Sequence, residues 1–128
     1  MPLVNIYLQE VWDENQIKKI SDDIHNSLVT AFKIPESDYN HRIIKLSKQE
    51  FIHSERKSDK CIFIEMYIFP GRSEKAKSKL YKEIFMKMEN YGIKKNDLII
   101  VLNEPPLKNW GMNGKRGDES EIGFKLDV

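Results

Sequence analysis

Cysteine is nearly absent from this chain: Cys61 stands alone among 128 residues. No disulfide can close within it, so stability must come from a packed core, as in a reducing compartment. Long apolar runs are missing too. Nothing approaches the ~18 residues of a membrane span, and the N-terminus lacks the basic-then-apolar layout of a secretory signal. The expectation is a soluble, cytoplasmic protein with no membrane partner. Excess charge of either sign is also lacking, since 21 Lys and Arg stand against 20 Asp and Glu for a net +1. Without a global field there is no expectation of nucleic acid as a partner, and any anion must be bound locally. The three histidines, His25, His41 and His53, lie too far apart for a ligand motif, and Cys61 has no companion at metal spacing. Neither a metal nor another cofactor is expected.

What the chain does have is periodicity. Pro2 to Leu8 alternates Val4, Ile6 and Leu8 on one face and reads as a strand. Asp13 and Gln16 form a capping-box pair ahead of Ile17, Ile20, Ile24, Leu28, Ala31 and Phe32, which recur at helical spacing until Pro35 closes the helix. His41 to Leu46 suits a short strand, and Phe51 to His53 a brief second one. Cys61 to Phe69 alternates again, Ser73 caps a second helix that Gly92 can end, and Asp97 to Asn103 is a fourth main strand.

The second half repeats the first. Shifted by 60, Val4, Ile6 and Leu8 fall on Ile64, Met66 and Ile68, while Ile20, Ile24 and Leu28 fall on Leu80, Ile84 and Met88. The reading is a single α/β domain over residues 1–128, built from two β-α-β halves at about 2–50 and 61–104. Right-handed crossovers then give a four-stranded mixed sheet with both helices on one face. Residues 105–128 are expected to form a long loop, with Glu121 to Phe124 as a short edge strand. Phe63, Tyr67 and Phe69 should line the face that the helices leave open.

Several residue types carry chemistry. Pro2 becomes a free secondary amine if the initiator methionine is removed, and a strand would hold that amine on a rigid element; proline is also simply tolerated at a strand's first residue. If the two first strands are adjacent and antiparallel, Pro2 lies near Pro70-Gly71-Arg72. Arg72, next to the cap Ser73, then stands where a helix dipole favours anions, or else is a solvated surface arginine. Asp38, in the turn after Pro35, suits a loop hydrogen bond that orders the helix-to-strand turn. Trp110 walls a pocket or anchors packing.

Together, Pro2, the doubled β-α-β pattern, Gly71-Arg72-Ser73, Asp38 within Pro35 to Tyr39, and Asn109-Trp110-Gly111 resemble the tautomerase superfamily over nearly the whole chain. They look most like the branch holding 4-oxalocrotonate tautomerase and malonate semialdehyde decarboxylase. The resemblance implies a tautomerase/MIF-like homotrimer acting on a small carboxylate substrate. Pro2 would be general base or acid, and Arg72 would bind the carboxylate. Asp38 would position or activate water, while Phe69 and Trp110 line the substrate pocket. One departure is visible: the decarboxylase-type pattern has a further arginine two residues before the one matched by Arg72, and here that position is Pro70. The loss of one cation argues against decarboxylation and against dehalogenation. Nor does Gln9 to Trp12 supply the arginine that shorter oxalocrotonate-type members carry there. The same string of elements also describes ferredoxin-like modules, some of which bind RNA. That reading lacks the glycine-containing RNA signature around Lys60 to Tyr67. A small-ligand regulatory domain, or a trimer that binds without catalysing, fits the same pattern.

Overall fold

The computed structural model describes residues 1–128. Strand β1 (Leu3–Gln9) leads into helix α1 (Glu14–Phe32) and strand β2 (His41–Leu46); β3 (Ile62–Tyr67), α2 (Glu74–Met88) and β4 (Leu98–Asn103) repeat the unit. The order across the sheet is β2-β1-β3-β4. Each outer strand is parallel to its own half's inner strand, and the two inner strands are antiparallel, with Leu3 opposite Tyr67 and Leu8 opposite Ile62. The sheet is therefore mixed, and no helix is long and apolar enough to cross a membrane.

Local chemistry starts and stops the helices. The Asp13 carboxylate accepts from the Gln16 amide at 2.7 Å, and the Gln16 side chain accepts from the Asp13 amide at 2.9 Å. Helix α1 ends at Phe32, ahead of Pro35, because Lys33 turns left-handed (φ 57°) and its N–H closes on the Val29 carbonyl. On α2 the Ser73 hydroxyl accepts from the Ala76 amide at 3.1 Å.

One face of the sheet meets both helices. Val4, Ile6, Leu8, Ile62, Ile64 and Met66 pack against Ile20, Ile24, Leu28 and Phe32 of α1 and Leu80, Ile84 and Met88 of α2, none more than 1% exposed. The other face is bare: Ile99 and Val101 are 42% and 49% exposed, and Phe63 and Tyr67 are half-buried. A polar ladder crosses it, in which Arg42 donates to Asn5 (3.1 Å), and Asn5 (2.9 Å) and Tyr7 (3.1 Å) donate to Glu65.

Three expectations are corrected. Phe51 to His53 is not a strand, because a turn bonds the Glu50 and Phe51 amides to the Ser47 carbonyl and drives Phe51 inward onto the Phe63 ring at 4.9 Å. Glu121 to Phe124 is not an edge strand; Gly123 is left-handed (φ 84°), which breaks any extended run. The tail's only strands are the small hairpin β5 (Gly111–Met112) and β6 (Lys115–Arg116). Phe69 lies beyond the end of β3 and is buried, so it is not part of the open face.

Core truncation should be costly and surface truncation should not. Leu28→Ala is expected to lower stability by about 2–5 kcal/mol, whereas Ile52→Ala, at a residue 87% exposed, should change it by less than about 0.5 kcal/mol; urea unfolding of both variants measures the contrast.

Candidate functional site

The topology gathers the singled-out residues at one end of the sheet. Because β1 runs antiparallel to β3 and parallel to β2, the entrances to β1 and β2 lie beside the exits of β3 and β4. Pro2 precedes the first of these, Asp38 the second, Arg72 follows the third, and Trp110 the fourth. Asn40 clinches the meeting of loop and strand, its carbonyl accepting from the Val4 amide at 3.0 Å.

Two of these residues meet the chain terminus or a counterpart directly. The amino group of Met1 lies 3.5 Å from the Asp38 carboxylate, both partly shielded from solvent. Pro2, one residue further in, is buried. Phe69 and Trp110 form an edge-to-face pair with centroids 4.8 Å apart, and the Trp110 ring N–H donates to the Pro105 carbonyl at 3.0 Å. Gly117 makes that loop possible, since a Cβ there would collide with the Leu107 carbonyl oxygen.

Arg72 is 7% exposed and forms no salt bridge. Its one hydrogen bond within the chain runs from Nη1 to the Phe69 carbonyl at 3.0 Å, leaving Nε without a partner. Its guanidinium lies 5.1 Å from the centroid of Phe32 and 5.8 Å from that of Phe124. Burial disfavours its charged form, an effect that Glu104 partly opposes, although Glu104 is itself paired with Lys77 at 3.0 Å. A cation this buried, with no carboxylate partner in its own chain, can take an anion at little further desolvation cost.

The C-terminal tail roofs this cation, which pattern reading did not foresee. Ser73 donates from both its amide (3.2 Å) and its hydroxyl (2.7 Å) to the Val128 main-chain oxygen. Leu126 abuts Gly71, whose left-handed φ of 121° bars a side chain there. Ile122, Phe124, Leu126 and Val128 do alternate in the sequence. That signal suits a strand as well as a strap. A separate groove of about 400 Å³ lies on the bare face, lined in part by Tyr7, Phe63, Ile99 and Val101.

A sequence model of the family described as "tautomerase enzyme" matches residues 38–113. The chain belongs to the tautomerase family. Among this tautomerase-family chain's relatives are two proteins of Bacillus subtilis (strain 168). Probable tautomerase YusQ is 28% identical over 127 residues, covering 94% of this chain and 100% of YusQ. Probable tautomerase YrdN is 29% identical over 120 residues, covering 86% and 89%. In fold it is similar to malonate semialdehyde decarboxylase (TM-score 0.80, 24% identity, 91% and 94% covered). It is equally similar to a fused 4-OT solved as a symmetric trimer (TM-score 0.80, 14% identity, 91% and 96% covered).

Behind Asp38 a half-buried histidine, His41, bonds the Ser21 hydroxyl through Nδ1 at 2.8 Å. Burial first, and His25 second, hold its pKa down at about 4 from the ordinary 6.5. The folded state thus favours the neutral ring, and the unfolded chain binds more protons between those values. Stability from this group should be fully present above pH 6.5 and fall as the pH drops toward 4, by roughly 2 kcal/mol after allowing for its partial exposure. Urea midpoints against pH should show a slope in that window that His41→Gln flattens.

Proposed function

We propose that this chain catalyses keto-enol proton transfer on a small 2-oxo acid, with Pro2 as general base and acid once Met1 is removed. The observation that carries the reading is the buried Arg72, free of any carboxylate in its own chain, at the sheet end where β1 begins. Family membership supports the reaction class.

In this mechanism the substrate carboxylate accepts a charge-assisted bond from Nη2 of Arg72, which has no partner within the chain. The Pro2 nitrogen takes the enol proton and returns a proton to the adjacent carbon, so no net proton is gained or lost. Desolvation and the guanidinium favour the unprotonated amine at neutral pH, while the Asp38 carboxylate opposes them. The apolar rings of Phe69, Trp110 and Phe124 keep water from the enolate. A malonate semialdehyde decarboxylase or hydratase reaction is a second reading, favoured by the Asp38 carboxylate 3.5 Å from the amino group of Met1, the residue before Pro2. Pro70, in place of a second arginine, stands against it.

The active species in this proposal is a homotrimer in the cytoplasm. Exposed Ile99 and Val101 on a helix-free sheet face support self-association, as does the trimeric state of the fused 4-OT of similar fold. Light scattering at micromolar concentration should give three times the mass of the chain, and Val101→Asp should give single chains; a monomeric parent protein would refute the assembly.

For the chemistry, phenylpyruvate is the probe. Arg72→Ala should raise KM by an amount equivalent to roughly 2–4 kcal/mol of carboxylate binding, whereas one extra residue before Pro2 should abolish kcat and leave the circular dichroism unchanged. Activity should fall on acidification as the amine takes its proton. Turnover indifferent to both changes would refute the mechanism.

A further inference from the structure

A hydrogen-bonded cluster on α1 has no part in the reaction as proposed above, yet it grips the loop that carries Asp38. His25 is 5% exposed and its Nε2 lies 2.8 Å from the Glu36 carbonyl, so Nε2 carries the proton, because a carbonyl only accepts. The His25 ring stacks on Tyr39 with centroids 4.2 Å apart and planes at 22°. The Tyr39 hydroxyl donates to the Asp22 carboxylate at 2.6 Å, and that carboxylate also pairs with Lys18 at 2.7 Å. Ser21 Oγ lies 2.8 Å from both the Tyr39 hydroxyl and His41 Nδ1.

These bonds have one consistent direction. The Tyr39 proton is committed to Asp22, so Ser21 must donate to the Tyr39 oxygen, and its own oxygen is then satisfied only by an N–H at His41 Nδ1. His41 Nε2 is left with a bare lone pair, which matches its lack of any partner in the chain and the neutral ring that burial favours. The chain of donors His41, Ser21, Tyr39 therefore ends on the Asp22 anion, where the Lys18 charge holds it.

From Glu36 to His41 the loop is thus held at Glu36 by His25, at Tyr39 by Asp22 and Ser21, and at His41 by Ser21. Asn40 is bonded to Val4, two residues from Pro2. Asp38 sits inside this frame, its amide closing a turn on the Pro35 carbonyl at 3.0 Å. The hydrogen bonds of Tyr39, Ser21 and His25 do not reach the chain terminus, whereas Asp38 lies 3.5 Å from the Met1 amino group, so their influence on the terminus passes through Asp38.

We infer that Ser21, His25 and Tyr39 are positioning residues that hold the Asp38 carboxylate at the chain's N-terminal end, where it meets the Met1 amino group at 3.5 Å, and so set the pH at which the adjoining Pro2 amine, freed once Met1 is removed, works as a base. The inference rests on the proposed use of Pro2. A carboxylate near an ammonium group favours its protonated form, and the interaction weakens with distance, so a loop free to drift lets the amine lose its proton at lower pH. The charged groups at hand are Asp38 from the loop, Arg72 from the β3–α2 turn, and Lys18 and Asp22 from α1.

The test uses full-length protein beginning at Pro2, with the amine titrated by ¹⁵N NMR and the acid limb of kcat/KM followed on phenylpyruvate. Asp38→Asn should move the amine titration down by about 1 pH unit. Tyr39→Phe keeps the ring on His25 and removes only the hydroxyl; it should move the titration the same way by a smaller amount. Ser21→Ala should do likewise, and serves if the tyrosine variant does not fold. Adding Tyr39→Phe to Asp38→Asn should produce no further movement, since the tyrosine acts only through the aspartate. An amine titration unmoved by Tyr39→Phe and Ser21→Ala, unmoved by Asp38→Asn, or moved additively in the double variant would overturn the inference. NMR reads the amine whether or not turnover occurs, so failure of the proposed catalysis would be seen separately, as activity that survives a blocked Pro2.

Discussion

The antiparallel pairing of β1 with β3 is the constraint from which the rest of this molecule follows. Its register sets Leu3 opposite Tyr67, so the beginning of the chain emerges beside the turn that leads into α2. Had the two halves packed with their inner strands parallel, the N-terminus and Arg72 would lie at opposite ends of the sheet. A slip of one residue would be as damaging, because it would send Val4, Ile6 and Leu8 to the bare face and strip the core of its central row. Those three side chains, with Ile62, Ile64 and Met66, are what the helices bury. Core and candidate site are therefore specified by the same pairing.

Arg72 shows how that arrangement concentrates free energy at one place. A guanidinium nearly sealed from water, with Phe32 below it, Phe124 beside it and one carbonyl bonded, is an expensive group to bury without an anion. The surrounding structure tolerates it because the core beneath is well filled and Ser73 caps α2. An anion that reaches such a cation costs less in desolvation of the arginine than one that meets an exposed, solvated guanidinium. The tail that roofs it is tied to the same helix end through Ser73 and Val128, so access to Arg72 and the capping of α2 are structurally coupled.

The opposite face of the sheet follows a different logic. Its centre carries Glu65, Asn5, Tyr7 and Arg42 in a bonded row, flanked by Phe63, Ile99 and Val101. Polar groups already satisfied within one chain can be covered at small cost, while the apolar flanks gain from being covered. The row also gives the face a defined polar pattern, which favours one docking arrangement over many.

Much of the fold was legible in the sequence, for identifiable reasons. Period-two alternation at Val4, Ile6 and Leu8 and at Ile62, Ile64 and Met66, the stripe Ile20, Ile24 and Leu28 at four-residue spacing with its echo in Leu80, Ile84 and Met88, and the caps at Asp13 and Ser73 are local patterns, and local sterics and burial act on them directly. Where the pattern was short it misled: Phe51 to His53 and Glu121 to Phe124 alternate well enough for strands, but a turn at Ser47 to Glu50 and a left-handed Gly123 take them elsewhere. Pro2, Asp38, Arg72 and Trp110 could be singled out as chemically capable residue types. That they stand at one end of one sheet is a product of strand order and register. Nor could composition tell a buried Arg72 from a solvated one, or join Ser21, His25, Tyr39 and His41 into a single network, because these depend on which surfaces meet, as where Ser21 bonds residues 18 and 20 positions further along the chain. The sequence by itself determined the elements, through interactions between residues three or four apart on helices and two apart on strands. Their assembly alone decided burial, pairing and proton direction, since each of those depends on groups that only the packed chain brings within hydrogen-bonding distance.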